Sequence, residues 1–150
     1  MITRIAAFAL AGSLAFLASR DLAACSCAPP PPPKEALGKA SAVFSGKVVR
    51  MEKPKPRQGA GPIRPTQAFG KVKVVIQVSR VWKGDLGKEV TLTTNASSAA
   101  CGYGFRPDEV YLIYCHGEKH ALSTNLCTRT KPLADAGEDL TELGVGQEVE

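Results

Sequence analysis

The chain has 150 residues and a formal net charge of +5 at pH 7, which is long enough for one domain with a buried core. No apolar run is long enough to span a bilayer, so the composition excludes a membrane-spanning helix. The positive charge could attract nucleic acid, an anionic membrane or an acidic protein surface, and it could equally serve only solubility.

The chain begins with a segment typical of a bacterial-type secretory signal peptide, predicted at residues 1–24. Arg4 provides a positive charge ahead of a short apolar run. Cleavage at its end would make Cys25 the first residue of a secreted or periplasmic protein. Residues 22–25 also fit a lipobox, the signal for attaching lipid to a cysteine. Lipidation would anchor the protein to the envelope and leave Cys25 without a free thiol or a free amine.

Cys25, Ser26 and Cys27 open the predicted mature chain and are soon followed by the proline run at residues 29–33. In an extended segment the two cysteines point to the same side, with their Cβ atoms roughly 6–7 Å apart. A disulfide between them would be strained, so each needs a partner elsewhere. A terminus fixed in this way, with Ser26 facing outward, could enter a site on another protein, or it could only stabilise a small secreted domain.

Alternation of apolar and polar residues predicts a mainly β domain. The prolines predict a polyproline strut, and residues 34–40 a short helix. A basic, proline-rich stretch at residues 51–70 is interpreted as a solvated loop between strands. The last two strands are expected to form a hairpin. The five predicted strands cover residues 42–50, 71–82, 88–94, 109–115 and 120–127.

After the strands, the sequence predicts a helix from Lys131 to Leu143 that packs on the sheet. Its apolar residues recur at helical spacing, and acidic residues are expected on the opposite, solvent-facing side. Gly144 can end the helix. Five short strands with one apolar face each, followed by one helix, fit a closed five-stranded barrel of the OB fold better than a sandwich.

The five cysteines predict a disulfide framework with one thiol left over, because a secreted protein folds in an oxidising compartment. The register of the predicted hairpin separates Cys115 from Cys127 by roughly 20 Å or more, too far for a bridge. If Leu122 and Leu126 face the interior, Cys127 faces outward, where it could hold a segment that lies across the outside of the barrel.

As a set, these residues resemble the N-terminal domain of the tissue inhibitors of metalloproteinases, a netrin-like OB-barrel family. The similarity covers nearly all of residues 25–144, which are expected to form the domain, with residues 145–150 as an acidic tail. The matching segments are CSCAPP at 25–30, VWKG at 81–84, CGY at 101–103, LSTNLC at 122–127 and the terminal helix.

The resemblance implies disulfides between Cys25 and Cys101 and between Cys27 and Cys127, with Cys115 as the odd thiol. It also implies that the protein inhibits a zinc metalloprotease. The inhibitor itself is expected to have no catalytic residues, no cofactor and no metal of its own. The α-amine and carbonyl oxygen of Cys25 would chelate the zinc of the target enzyme. Ser26 would enter the pocket beside that zinc.

Other functions fit the same residues less well. An OB barrel can bind nucleic acid or oligosaccharide, but the chain has few aromatic residues on which bases could stack. An enzyme is not indicated, because Cys-x-Cys is not the redox Cys-x-x-Cys motif. His116 and His120 could touch one metal but fit a solvated turn better. The main alternative is an envelope lipoprotein that is lipidated at Cys25. Without lipidation, we expect a monomer that binds a zinc metalloprotease and contacts neither nucleic acid nor a membrane.

Overall fold

The structure is a computed structural model that describes residues 25–54 and 70–149. The predicted signal peptide at residues 1–24 and most of the loop predicted at residues 51–70 lie outside the described residues. Within the described part of the chain, no helix is both long enough and apolar enough to cross a membrane.

The described residues form six β-strands and two α-helices. The α-helices are α1 (Pro33–Lys39) and α2 (Gly137–Leu143). The strands are β1 (Ala42–Glu52), β2 (Lys71–Lys83), β3 (Glu89–Asn95), β4 (Val110–Cys115), β5 (Lys131–Pro132) and β6 (Gln147–Glu148). Four of them form the body of an antiparallel sheet, in the spatial order β3, β2, β1, β4. The two short strands complete it: β5 pairs with β4, and β6 pairs with β2.

The first four predicted strands are confirmed. Alternation is clearest in β2 and β3, each of which buries one face. In contrast, β4 and the first half of β1 are buried on both faces, because their second face packs against the two α-helices. The short helix predicted at residues 34–40 is also confirmed, with Pro33 at its start. The main hydrophobic cluster takes its β-strand members from both central strands and their neighbours, including Phe44, Val48, Val72, Val74, Ile76, Val78, Leu92, Tyr111 and Ile113.

The fifth predicted strand, at residues 120–127, is wrong. In its place Ser123 makes two isolated bridges, one to His116 and one to Thr93. Leu122 is buried as expected, but Leu126 is 42% exposed. The described residues therefore form an open antiparallel sheet, in which one bridging segment joins β3 and the end of β4, and not a barrel closed by regular strand pairing.

The polar side chains of the bridging segment explain why it does not continue as a strand. The hydroxyl of Thr124 donates to the carbonyl oxygen of Tyr114 at 2.9 Å and contacts the hydroxyls of Thr128 and Thr130. Asn125 accepts a hydrogen bond from the backbone of Cys127 at 2.8 Å. Local hydrogen bonds of this kind compete with a β ladder.

The predicted C-terminal helix is present but shorter than expected. Lys131 and Pro132 form β5, a 3-10 turn covers Leu133–Asp135, and α2 begins only at Gly137. Pairing with β4 satisfies the backbone of the first two residues, and Pro132 lacks an amide for a helical bond. The predicted apolar stripe still packs against α1 and β4 in a second hydrophobic cluster, which includes Ala36, Leu112, Tyr114, Leu133, Ala136, Leu140 and Leu143.

Candidate functional site

Two disulfides attach the segment at Cys25 to the body of the domain, and both match the predicted pairs. Cys25 is bonded to Cys101 and Cys27 to Cys127, with Cα atoms 5.2 Å and 5.1 Å apart. The bridges lie side by side, because the sulfurs of Cys25, Cys27 and Cys127 are all within 4.8 Å of one another. Sulfurs engaged in disulfides are not thiolate ligands, so this cluster is not a metal centre in its oxidised state.

Ser26 lies between the two bridged cysteines and is exposed. Its neighbours Cys25 and Cys27 are partly exposed and exposed, respectively. The short stretch is thus fixed on both sides of a single small polar side chain. This is the outward orientation that alternation in an extended segment predicts.

The loop after β3 positions Cys101. The hydroxyl of Ser97 accepts a hydrogen bond from the backbone amide of Ala99 at 3.2 Å. The side-chain amide of Asn95 donates to the carbonyl oxygen of Ala100 at 2.6 Å. Cys101 adopts a left-handed conformation with φ of 61°, uncommon for a residue with a side chain. The 3-10 turn at Ser98–Ala100, next to the bridge, exposes only small side chains.

Gly102 makes this loop possible, because its backbone passes very close to the end of β3. A Cβ atom added at Gly102 would lie 2.0 Å from the carbonyl oxygen of Asn95 and 2.9 Å from that of Ser97. The amide of Gly102 donates to Ser97 at 2.9 Å. A residue without a side chain is therefore required immediately after Cys101.

The turn that carries Cys127 is joined directly to the turn that carries Cys101. The amide of Leu126 donates to the carbonyl oxygen of Cys101 at 2.9 Å. Leu126 is one of the few large apolar side chains of the described chain that remain exposed. The two turns that carry Cys101 and Cys127 are thus hydrogen-bonded to each other, and the exposed Leu126 lies next to the second bridge.

The turn that carries Cys127 continues into a buried ion-pair cluster, which joins Arg129 to Asp139. Asp139 of α2 is fully buried and accepts hydrogen bonds from Arg129 at 2.7 and 3.0 Å, Lys131 at 2.6 Å and Tyr114 at 2.8 Å. Burial acts to raise the pKa of Asp139, but these three partners outweigh it and lower the pKa to about 2. The same pairing raises the pKa of the Arg129 guanidinium, so both groups stay charged.

Sequence reasoning missed this cluster. The acidic residues of the C-terminal helix were expected to face solvent, and that expectation is wrong for Asp139. A buried position on the polar side of an amphipathic pattern gives no signal in the helical period. The one available hint was an arginine two residues after Cys127, which becomes informative only once the fold brings residues 129 and 139 together.

The odd thiol is Cys115, as predicted, and it is buried at the end of β4. Burial raises the pKa of this thiol to about 12, which makes it a poor nucleophile at neutral pH. His116 and His120 are exposed. Across the described residues, the disulfide cysteines form the one group whose atoms are close enough together to suggest metal ligands.

Fold and site together define a mainly β domain whose segment at residues 25–27 is held by two disulfides, with Ser26 exposed between them. A model of the family described as tissue inhibitor of metalloproteinase matches residues 23–138. The chain therefore belongs to that family, whose members are inhibitors and not enzymes. No curated protein sequence matches the chain.

Proposed function

We propose that the processed protein inhibits a zinc metalloprotease through its first residue, Cys25. The observation that supports this most strongly is the double bridging of Cys25 and Cys27. Both chelating atoms would belong to Cys25, so their position would be set before the target binds. A preorganised terminus lowers the ordering cost of association.

The chemistry needs only the backbone of that residue. A catalytic zinc keeps one coordination position open for water. A free α-amine has an unperturbed pKa near 8, so it can lose its proton beside the metal and bind. With the carbonyl oxygen of Cys25 it closes a five-membered chelate, which displaces the catalytic water and stops hydrolysis.

Selectivity would come from the side chains around the chelating residue. Ser26 would enter the pocket beside the zinc, where a hydroxymethyl group fills little space, so we expect weak discrimination between proteases. The turn at Ser98–Ala100 and the exposed Leu126 flank the bridges. They would add contact area against the rim of the active site.

A single added residue tests the chelation mechanism. Placing one alanine ahead of Cys25 in the processed protein converts the amine to an amide, a poor zinc ligand, and leaves both bridges in place. We expect inhibition of secreted zinc proteases to fall at least a hundredfold, the loss of about 3 kcal/mol of binding. Matching thermal unfolding curves provide the control, and equal inhibition by the two forms would contradict chelation.

A lipid-anchored envelope protein is the competing function, and it uses the same residue differently. Lipidation attaches a chain to the sulfur of Cys25, so that sulfur could not also bond Cys101. The Cys25–Cys101 bridge thus supports a secreted or periplasmic inhibitor over the lipoprotein. The intact mass of the exported protein distinguishes the two, because a lipidated form is heavier by its acyl groups.

A further inference from the structure

The segment that presents Cys25 has few attachments besides its disulfides. Its prolines cannot donate hydrogen bonds, and within the described chain no backbone–backbone hydrogen bond involves residues 25–31. One side chain reaches it: Nη1 of Arg129 donates to the carbonyl oxygen of Pro31 at 2.9 Å. Within the described chain this is the one side-chain hydrogen bond to residues 25–31, and it fixes the carbonyl of Pro31 between Cys27 and α1.

Arg129 makes that contact while its other donors are engaged elsewhere. Nε and Nη2 bind the two carboxylate oxygens of Asp139 at 2.7 and 3.0 Å, and Nη2 also binds Glu138 at 3.0 Å. The side chain is only 8% exposed. A planar guanidinium can serve three acceptors at fixed angles, whereas a lysine ammonium cannot reproduce that geometry.

The carboxylate that orients Arg129 is itself fixed by the sheet. Tyr114 of β4 and Lys131 of β5 both donate to Asp139, which has no exposed surface. The sheet therefore holds Asp139, Asp139 holds Arg129, and Arg129 holds Pro31. Cys127, two residues before Arg129, carries the bridge to Cys27, so the strut is attached at both ends to the same stretch of chain.

We propose that Arg129 is a positioning residue for the inhibitory terminus: it sets the direction of the proline strut, and through it the angle at which Cys25 and Ser26 meet a partner. The proposal rests on the proposed function, because the terminus it orients is the site of that function. It assigns Arg129 a role beyond neutralising Asp139.

The variant Arg129→Lys separates the two roles. A lysine retains a positive charge for Asp139 but cannot also hold Pro31 in the same geometry. The matched control is Lys131→Gln, which removes a cation from the same carboxylate. Among the described residues, Lys131 has no hydrogen bond to the proline run. The probe is Ala28, the last amide before the proline run, and its order is measured by backbone 15N relaxation of the processed protein.

We expect the order parameter of Ala28 to be about 0.85 in the wild type and to fall below about 0.6 in Arg129→Lys. Lys131→Gln should lower the melting temperature and leave Ala28 ordered. Inhibition of a zinc protease should weaken about tenfold in Arg129→Lys and not in the control. Equal order at Ala28 in the wild type and Arg129→Lys, or equal loosening in both variants, would overturn the positioning role.

Two features keep this test decisive. If the wild type inhibits no protease, the proposed function fails, but the order of Ala28 still decides whether Arg129 positions the strut. If Arg129→Lys does not fold, the wild type is examined directly. Its Nη1 protons should then exchange slowly and show nuclear Overhauser contacts to Pro31. Fast exchange without those contacts would contradict the proposal.

Discussion

Asp139 is a buried charged residue, and the stability of the fold depends on its charge. Its pKa is about 2 in the folded protein, against an ordinary value of about 3.9 for an unfolded aspartate. A lowered folded pKa stabilises the fold above the unfolded pKa, and that stability is lost as the pH falls through the folded value. The groups that face Asp139 are Arg129, Lys131 and Tyr114, with Glu138 on the far side of the guanidinium.

We therefore expect the free energy of unfolding to drop by on the order of 2–3 kcal/mol between pH 5 and pH 2 through this one group. Urea unfolding at both pH values measures the drop. The variant Asp139→Asn should be less stable at pH 5, because Arg129 and Lys131 lose their counter-charge, and its stability should change less between the two pH values. A pH dependence in Asp139→Asn as steep as in the wild type would contradict this assignment.

The cysteines of the site could be predicted in part from the sequence, whereas Arg129 and Asp139 could not. Cysteine spacing alone showed that Cys25 and Cys27 need separate partners, but the choice of Cys101 and Cys127 came from the family resemblance. Arg129 and Asp139 could not be predicted, since an isolated arginine and an acid on a helix are ordinary surface residues until the fold buries them together.

The loop that follows β3 requires the backbone of Gly102 to pass very close to the backbone of Asn95. Gly102 has no room for a Cβ atom, whereas nothing lies within 4 Å of the position of a Cβ at Gly104. We expect Gly102→Ala to destabilise the fold by about 2–4 kcal/mol, because the clash is with backbone atoms that cannot rotate away. Gly104→Ala should change stability by less than about 1 kcal/mol.

Thermal unfolding of the two glycine variants gives this comparison. Since Gly102 follows the cysteine that bonds Cys25, Gly102→Ala should also slow formation of the Cys25–Cys101 bridge during refolding, as followed by peptide mapping without reduction. Similar stability for the two variants would show that the loop can move away from β3.

At the scale of elements, the sequence predicted what alternation controls and missed what side-chain hydrogen bonds control. The strands β2 and β3 have a period of two because one face of each is buried, whereas the first half of β1 is buried on both faces. Residues 120–127 also alternate, but threonine, serine and asparagine side chains bond the backbone locally and leave only isolated bridges. The start of α2 moved from Lys131 to Gly137 for a different reason, because Lys131 and Pro132 pair with β4 instead of forming the first helical turn.

For the whole molecule, the two disulfides act on overlapping loops. Their cysteines are 76 and 100 residues apart, and alone each would constrain the unfolded chain by about 4–5 kcal/mol. With Cys25–Cys101 intact, the second bridge closes a shorter path, through that bridge and residues 101–127. We expect the double variant Cys27→Ser and Cys127→Ser to lose about 3–4 kcal/mol, a smaller cost than the sequence separation suggests.

Guanidinium unfolding of the double variant measures this cost. Cys115→Ala is the control, because it removes a buried thiol and leaves both bridges in place. A double variant as stable as the wild type would contradict this account, because the second bridge would then not constrain the unfolded chain.

The long span of these bridges also constrains the order of events when the chain folds and its cysteines oxidise. Cys25 and Cys27 come first in the chain, and the partner of Cys27 follows only after 100 further residues. Cys115 precedes Cys127 in the chain and could capture either early cysteine. Once β4 is paired, Cys115 is enclosed, and four accessible thiols remain, with the correct partners already adjacent. A chain that forms its sheet before it oxidises therefore has two bridges to make, each between cysteines that the fold has already brought together. A chain that oxidises first must exchange any disulfide that Cys115 has formed.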